Sequence, residues 1–290
     1  MWTALGAPFD SSGVGRGEER APAALRAAGL LEVFHAGDGG DVAAPLRDPV
    51  RDPETGVVAF ADLCASSQVL RGAVDATLTG GRRPLVLGGD CSLLIGALAG
   101  VRDAVGPVRL VFVDGHADYF DGASSPTGEA ADMELAILTG HGPAGLVDLG
   151  GEVPIVEPAD VVILGHRPAS LHPDVARELE RVPAVISRMT AEEIVAGGAS
   201  GVGERWASAL SGRGSAWLHL DLDALDEAAL PAVTYTQPNG LGWDSLVALA
   251  RPLLASQALV GISVADFNPD LDHDGVHARR VVQALAEIVR

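Results

Sequence analysis

Asp114-x-His116-x-Asp118 places three ligand-type side chains at alternate positions, and Asp221-x-Asp223 places two more in the same way. On a continuing strand, residues i, i+2 and i+4 point to one face, so each cluster would aim its donors at one spot. Apolar runs lead into both, Leu110-Val111-Phe112-Val113 before the first and Trp217-Leu218-His219-Leu220 before the second. A solvated edge strand alternates too, but unpaired carboxylates at the end of a buried run are costly. Carboxylates drawn together in this way repel one another, and cations offset that repulsion. Oxygen-rich donors with one imidazole suit Mn2+ best, with Fe2+ or Mg2+ as alternatives.

Short apolar runs recur at 2–7, 84–87, 108–113, 161–164, 183–186, 216–222 and 259–264, each bounded by Gly, Pro or Asp. They read as buried strands of a parallel sheet. Between them, Ala- and Leu-rich stretches at 61–78, 173–179, 191–210, 245–254 and 276–289 carry helical spacing. The alternation predicts a three-layer α/β/α domain with a mostly parallel central sheet, which binds ligands beyond the carboxyl ends of its strands. Polar residues gather at those ends: Gly88-Gly89-Asp90-Cys91, Asp114 to Asp118, Asp221-Leu222-Asp223 and Asp266-Phe267-Asn268. No linker or repeat divides the chain, so residues 1–290 are expected to form one domain.

A formal charge of −19, from 39 acidic and 20 basic residues, repels nucleic-acid phosphates and anionic membranes alike. Neither is an expected partner; a small cation is. Every basic residue is Arg and none is Lys, which excludes a phosphate-loop lysine and a Schiff-base lysine. Cys64 and Cys91 are too few for a disulfide framework. The opening Met1-Trp2-Thr3-Ala4-Leu5-Gly6 is not a basic-then-apolar signal, and no uncharged apolar run reaches about 18 residues. A cytoplasmic, reducing setting is expected.

Gly88-Gly89-Asp90-Cys91-Ser92, Asp114-Gly115-His116-Ala117-Asp118 and Asp221-Leu222-Asp223-Ala224-Leu225-Asp226 resemble, in order and separation, the three signature blocks of the arginase, agmatinase and formimidoylglutamase superfamily. Gly6-Ala7-Pro8-Phe9-Asp10, with Gly17, Pro22 and Arg26, is similar to that family's opening, so the resemblance covers nearly the whole chain. It implies an arginase-like fold, a homo-oligomer (trimer or hexamer) and a binuclear manganese centre. Asp114 and Asp221 would bridge two Mn2+ ions, Asp118 and Cys91 would complete one, and His116 and Asp223 the other. A hydroxide between the ions would attack a guanidinium carbon and release urea. Asp226 would hold that hydroxide or tune a ligand from behind.

The sequence also departs from the family. Cys91 stands where it has His; a thiolate there would add a negative charge and soften the site, whereas a buried thiol would leave one ion short of a ligand. The loop Ser125-Pro126-Thr127-Gly128-Glu129-Ala130-Ala131-Asp132 lacks the expected proton-shuttling His. Glu129 and Asp132 become the candidate catalytic groups, with Thr127 beside them as a substrate contact. Asp244 is the candidate guanidinium anchor and Arg167 the candidate for a substrate carboxylate. Phe120 stands where Asn is expected, and His166-Arg167-Pro168-Ala169-Ser170 lacks an expected Asp, so arginine itself is a poor fit. Cys91, the missing His and Tyr235-Thr236-Gln237-Pro238-Asn239-Gly240-Leu241 together resemble the hydroxyarginine amidinohydrolase branch. The expected reaction is hydrolysis of a guanidino or hydroxyguanidino compound to urea. Formimino hydrolysis releasing formamide, and a non-catalytic family member that keeps its metal, are the alternatives.

Overall fold

A computed structural model describes residues 1–290. Eight strands form one sheet: β1 (Trp2–Ala7), β2 (Ala36–Asp41), β3 (Arg83–Gly88), β4 (Val108–Val113), β5 (Val161–His166), β6 (Ser187–Thr190), β7 (Ser215–Asp221) and β8 (Leu259–Ala265). Their order across the sheet is β2-β1-β3-β8-β7-β4-β5-β6, and every neighbouring pair is parallel. A parallel sheet needs a crossover between strands, and the intervening helices supply it. The chain leaves a gap between β3 and β4 that β7 and β8 later fill. As a result β3, β8, β7 and β4 lie side by side, and these are the strands whose carboxyl ends carry the polar clusters.

Both faces of the sheet are covered, which is why its strands read as continuous apolar runs. On β4, Val108, Leu110 and Phe112 enter one core while Val111 and Val113 enter the other. The first core packs beneath the helices Phe60–Thr79 and Leu93–Val105, the second beneath Trp243–Leu254 and Val276–Val289. The expected three-layer architecture is the one observed.

Three elements differ from the sequence expectation. The apolar run at 183–186 is a turn, and the strand follows it at β6, whose first residues are exposed and polar. The helical stretch at 191–210 is two helices, Ala191–Ala196 and Ala199–Leu210, separated where Gly198 takes φ +75°. β2 carries the sequence Ala-Gly-Asp-Gly-Gly-Asp, which has neither apolar alternation nor β-branched residues; its place is set by pairing with β1 at the sheet's edge.

The helix Leu93–Val105 is buried on all sides through Val101, so it shows no amphipathic stripe. It lies close against Phe60–Thr79 because Gly96 and Gly100 carry no side chain: a Cβ would stand 2.5 Å from the Ser67 carbonyl oxygen at Gly96 and 2.4 Å from that of Arg71 at Gly100. Gly96→Val is therefore expected to lower stability by about 3 kcal/mol through overpacking. Gly72→Ala, at a helix position with nothing within 4 Å of a new Cβ, should be neutral or stabilising by up to about 1 kcal/mol. Urea unfolding of the two variants checks the contrast; equal stabilities would remove the close-approach argument.

Candidate metal centre

The donors converge by a route other than strand alternation. β4 ends at Val113, and the chain then turns out of the sheet, with Asp118 at φ +46°. Asp114 Oδ1 accepts the His116 N–H at 2.6 Å. Glu178, on the helix Pro173–Arg181, accepts the backbone N–H groups of Ala117 at 3.3 Å and Tyr119 at 3.2 Å and so holds the loop from behind. After β7, Asp221 Oδ1 accepts the Asp223 N–H at 2.7 Å across a short 3-10 turn. Asp223 then ties the two loops together: one oxygen accepts the Gly115 N–H at 3.1 Å, and the other lies 2.8 Å from His116 Nδ1.

The end of β3 adds a third loop. Buried Asp90 accepts the Ser11 N–H and the Ser92 hydroxyl, each at 2.5 Å. Cys91 Sγ lies 3.9 Å from Asp118 Oδ2 and donates to the Ala131 carbonyl at 3.1 Å. Asp266 follows β8 at φ +65°, its N–H held by the Gly89 carbonyl at 2.7 Å. Ligand atoms of Asp114, His116 and Asp118 lie within 4.8 Å of one another, as do those of Cys91, Asp221 and Asp266, and those of Cys91, Asp118 and Glu134.

Burial pushes Asp114, Asp118 and Asp266 well above the carboxylate range, with their acidic neighbours adding to the shift. Asp221 rises to about 8 for the same reasons. His116 runs against its burial and rises to about 9 because Asp223 faces it, while Asp223, despite burial, falls to about 2 beside His116. Asp114 Oδ2 and Asp266 Oδ2 are buried without a hydrogen-bond partner. Behind them His219 stacks on Phe112, shares the Ser263 hydroxyl with the Trp217 indole, and directs Nε2 towards Asp221 at 3.9 Å. Buried carboxylates with unpartnered oxygens turned on one another are the donor set that divalent cations fit.

A family model described as "Arginase family" matches residues 2–290. The chain belongs to the arginase family. It is 30% identical over 290 residues to the arginase of Brevibacillus brevis, covering 98% of this chain and 96% of that one. The fold superposes on the solved arginase of Bacillus caldovelox with a TM-score of 0.89 at 28% identity, covering 99% of this chain and 97% of the other. The proclavaminate amidino hydrolase of Streptomyces clavuligerus shares the fold at TM-score 0.71 and 22% identity, over 99% of this chain and 90% of that one. This arginase-family hydrolase thus has relatives that align end to end, in a family whose members are typically metal-dependent.

Above the cluster opens a pocket of about 370 Å³ whose lining includes Cys91, His116, Asp118, Asp221, Asp223 and Asp266. Thr127, Glu129 and Asp132 also line it. Glu129 is held by Arg16 through two hydrogen bonds of 3.1 and 2.7 Å, with the Tyr235 hydroxyl 3.4 Å away. Asp132 Oδ2 accepts from Ser125 at 2.7 Å and Thr127 at 2.8 Å.

Three expected residues lie elsewhere. Asp244 is exposed in the first turn of the helix Trp243–Leu254 and does not line the pocket. Arg167 is fully buried, and its guanidinium donates to the carbonyls of Leu225, Gln237 and Pro238, so it clamps a loop and faces no substrate carboxylate. Asp226 accepts the N–H groups of Ala228 and Gly240 and shapes that same loop. Glu18 and Glu134 have no place in the sequence expectation. Glu18 lies next to a Gly-rich turn with no periodicity to mark it, and Glu134 opens an apolar stretch where a helix's solvated first turn is the ordinary reading.

Glu18 is buried and pushed up to about 8 by desolvation and by Asp90. The sign for stability follows. Glu18, Asp221 and His116 bind protons more tightly folded than unfolded, so their contribution is whole at low pH and is lost as the pH climbs through about 8 to 9. In chelator-treated protein the melting temperature should fall from about pH 5 to about pH 9, and Glu18→Gln should flatten part of the slope. Thermal melts across that range test this; a melting temperature that rises with pH would contradict it.

Proposed function

We propose that this arginase-family hydrolase cleaves a linear carbon–nitrogen bond in a hydroxyguanidino or guanidino compound and releases hydroxyurea from the first or urea from the second, using two divalent cations with Mn2+ preferred. The carrying observation is the convergence of Asp114, His116, Asp118, Asp221 and Asp223 beneath a carboxylate-lined pocket, with buried oxygens left unpartnered. These five side chains would hold the cations. When bound, such cations supply a hydroxide nucleophile near neutral pH and offset the charge that develops during attack.

The rest falls to the chain's own groups. Glu18 lines the pocket, and its buried Oε2, 3.7 Å from Arg16 Nη2, has no hydrogen-bond partner, so it can accept a guanidinium N–H in the role expected of Asp244. Asp132 has one oxygen fixed by Ser125 and Thr127 and the other, Oδ1, unpartnered. Burial lifts its pKa to about 6, so a proton held at Oδ1 is available to the departing nitrogen near neutral pH. Thr127 acts by orienting Asp132. Glu129, occupied by Arg16 and Tyr235, narrows the mouth. A single carboxylic acid, Asp132, takes the place of the family's His and protonates the departing alkyl amine, the same group whether or not the substrate carries a hydroxyl. Cys91 and the Tyr235 to Leu241 segment, similar to the hydroxyarginine branch, support a hydroxyguanidino substrate.

The decisive test supplies Mn2+-loaded protein with arginine, hydroxyarginine, agmatine, guanidinobutyrate and formiminoglutamate and measures urea, hydroxyurea and formamide. Hydroxyurea from the hydroxyguanidino substrate is expected to dominate. Formamide as the main product would replace this reading, and a fully loaded protein that turns over none of the five would end it.

Asp132→Asn is expected to lower kcat by about a hundredfold or more with little change in KM. An unchanged kcat, measured by steady-state kinetics, would remove Asp132 as the proton donor.

A further inference from the structure

Glu134 opens the five-residue helix Glu134–Leu138, in which every residue is buried and the other four are apolar. It is 0% exposed. Neither carboxylate oxygen has a hydrogen-bond partner, and Glu134 takes part in none of the protein's ion pairs. A carboxylate in such surroundings is costly unless a positive charge meets it, and an apolar side chain would pack there at less cost. No Arg or His supplies that charge.

The direction in which Glu134 points narrows the choice. One of its oxygens lies within 4.8 Å of both Cys91 Sγ and an Asp118 oxygen. This is the corner where Cys91 stands in place of the family's imidazole. The Cys91 thiol is already engaged, because it donates to the Ala131 carbonyl at 3.1 Å. A thiol giving its hydrogen to a backbone oxygen is a weak ligand; a carboxylate with two free oxygens is a strong one. The helix is anchored to the same loop, since the Ala136 N–H donates to the Asp118 carbonyl at 3.3 Å, so Glu134 and Asp118 hold their relation to each other.

We infer that Glu134 is a metal ligand, supplying with Asp118 the anionic donors of one cation at the corner where Cys91 replaces imidazole. The inference rests on the metal-hydrolase reading. It makes Glu134, which no signature block contains, the group that compensates the altered position. Cys91 then remains a thiol that shapes the corner and carries no charge.

The test is metal content and affinity, measured on the full chain by mass spectrometry of bound metal and by calorimetric titration with Mn2+. Wild-type protein is expected to take two ions. Glu134→Gln, nearly the same size, should lose one ion or bind it at least about tenfold more weakly, while Cys91→Ala should keep both. The thermal midpoint gives a second readout that does not depend on turnover. Metal-free Glu134→Gln should melt at or above the metal-free wild type, because an uncompensated buried carboxylate is gone, and its gain on adding Mn2+ should shrink. Wild-type stoichiometry and affinity in Glu134→Gln would overturn the inference and leave the metal-hydrolase reading standing; so would loss of an ion from Cys91→Ala alone. Wild-type protein that takes up no Mn2+ would overturn both.

Discussion

Like charges brought together inside a protein set the terms for this structure. Asp114, Asp118, Asp221, Asp223 and Asp266 meet at the ends of three central strands, and all but one are driven towards protonation by burial and by one another. The exception is Asp223, which faces His116. A fold that gathers carboxylates in this way is at odds with itself until something positive arrives. The backbone N–H groups of Gly115, His116 and Asp223 relieve part of the strain by donating to these carboxylates. They leave the oxygens that face the centre free.

Sheet order makes the gathering possible. The second and third signature blocks, at Asp114 and Asp221, lie about a hundred residues apart in sequence, and they meet the first because β7 and β8 insert between β3 and β4. Every loop that matters then leaves the same edge of the sheet. Glycine permits the close fit of those loops. At Gly115 a Cβ would stand 2.2 Å from the Arg167 guanidinium, and at Gly89 it would stand 1.7 Å from the Phe9 carbonyl oxygen.

Much of this was legible in the sequence, though for reasons that need revision. The pairs and triplets of ligands at spacing two were read as strand alternation, whereas β4 and β7 stop at Val113 and Asp221 and the convergence is made by turns. In each turn a carboxylate accepts the N–H two residues ahead, which also needs a spacing of two. Charge alone could not rank the remaining polar residues. Asp244 and Arg167 have the right chemistry, but a helix start exposes one and a loop takes up the other. Glu18 and Glu134 carry no local pattern, because their surroundings come from distant segments. β2 was illegible for a related reason: an edge strand of Gly and Asp is held by its neighbour's pairing and not by its own preferences.

The hydroxyl of Ser263 lies 2.9 Å from the Trp217 indole nitrogen and 2.8 Å from His219 Nδ1. The indole can only donate, so the serine oxygen accepts there and keeps one lone pair and its own hydrogen, either of which can meet Nδ1. Asp221 decides between them: a proton on Nε2 faces its carboxylate, where a bare lone pair would be repelled, and Nδ1 then accepts from Ser263. Burial lowers the His219 pKa to about 3, so the ring stays neutral and its tautomer is the only variable it has. A carboxylate at the centre therefore sets the proton position of a ring in the hydrophobic core, and the chemistry at the edge of the sheet reaches into the wiring of its interior.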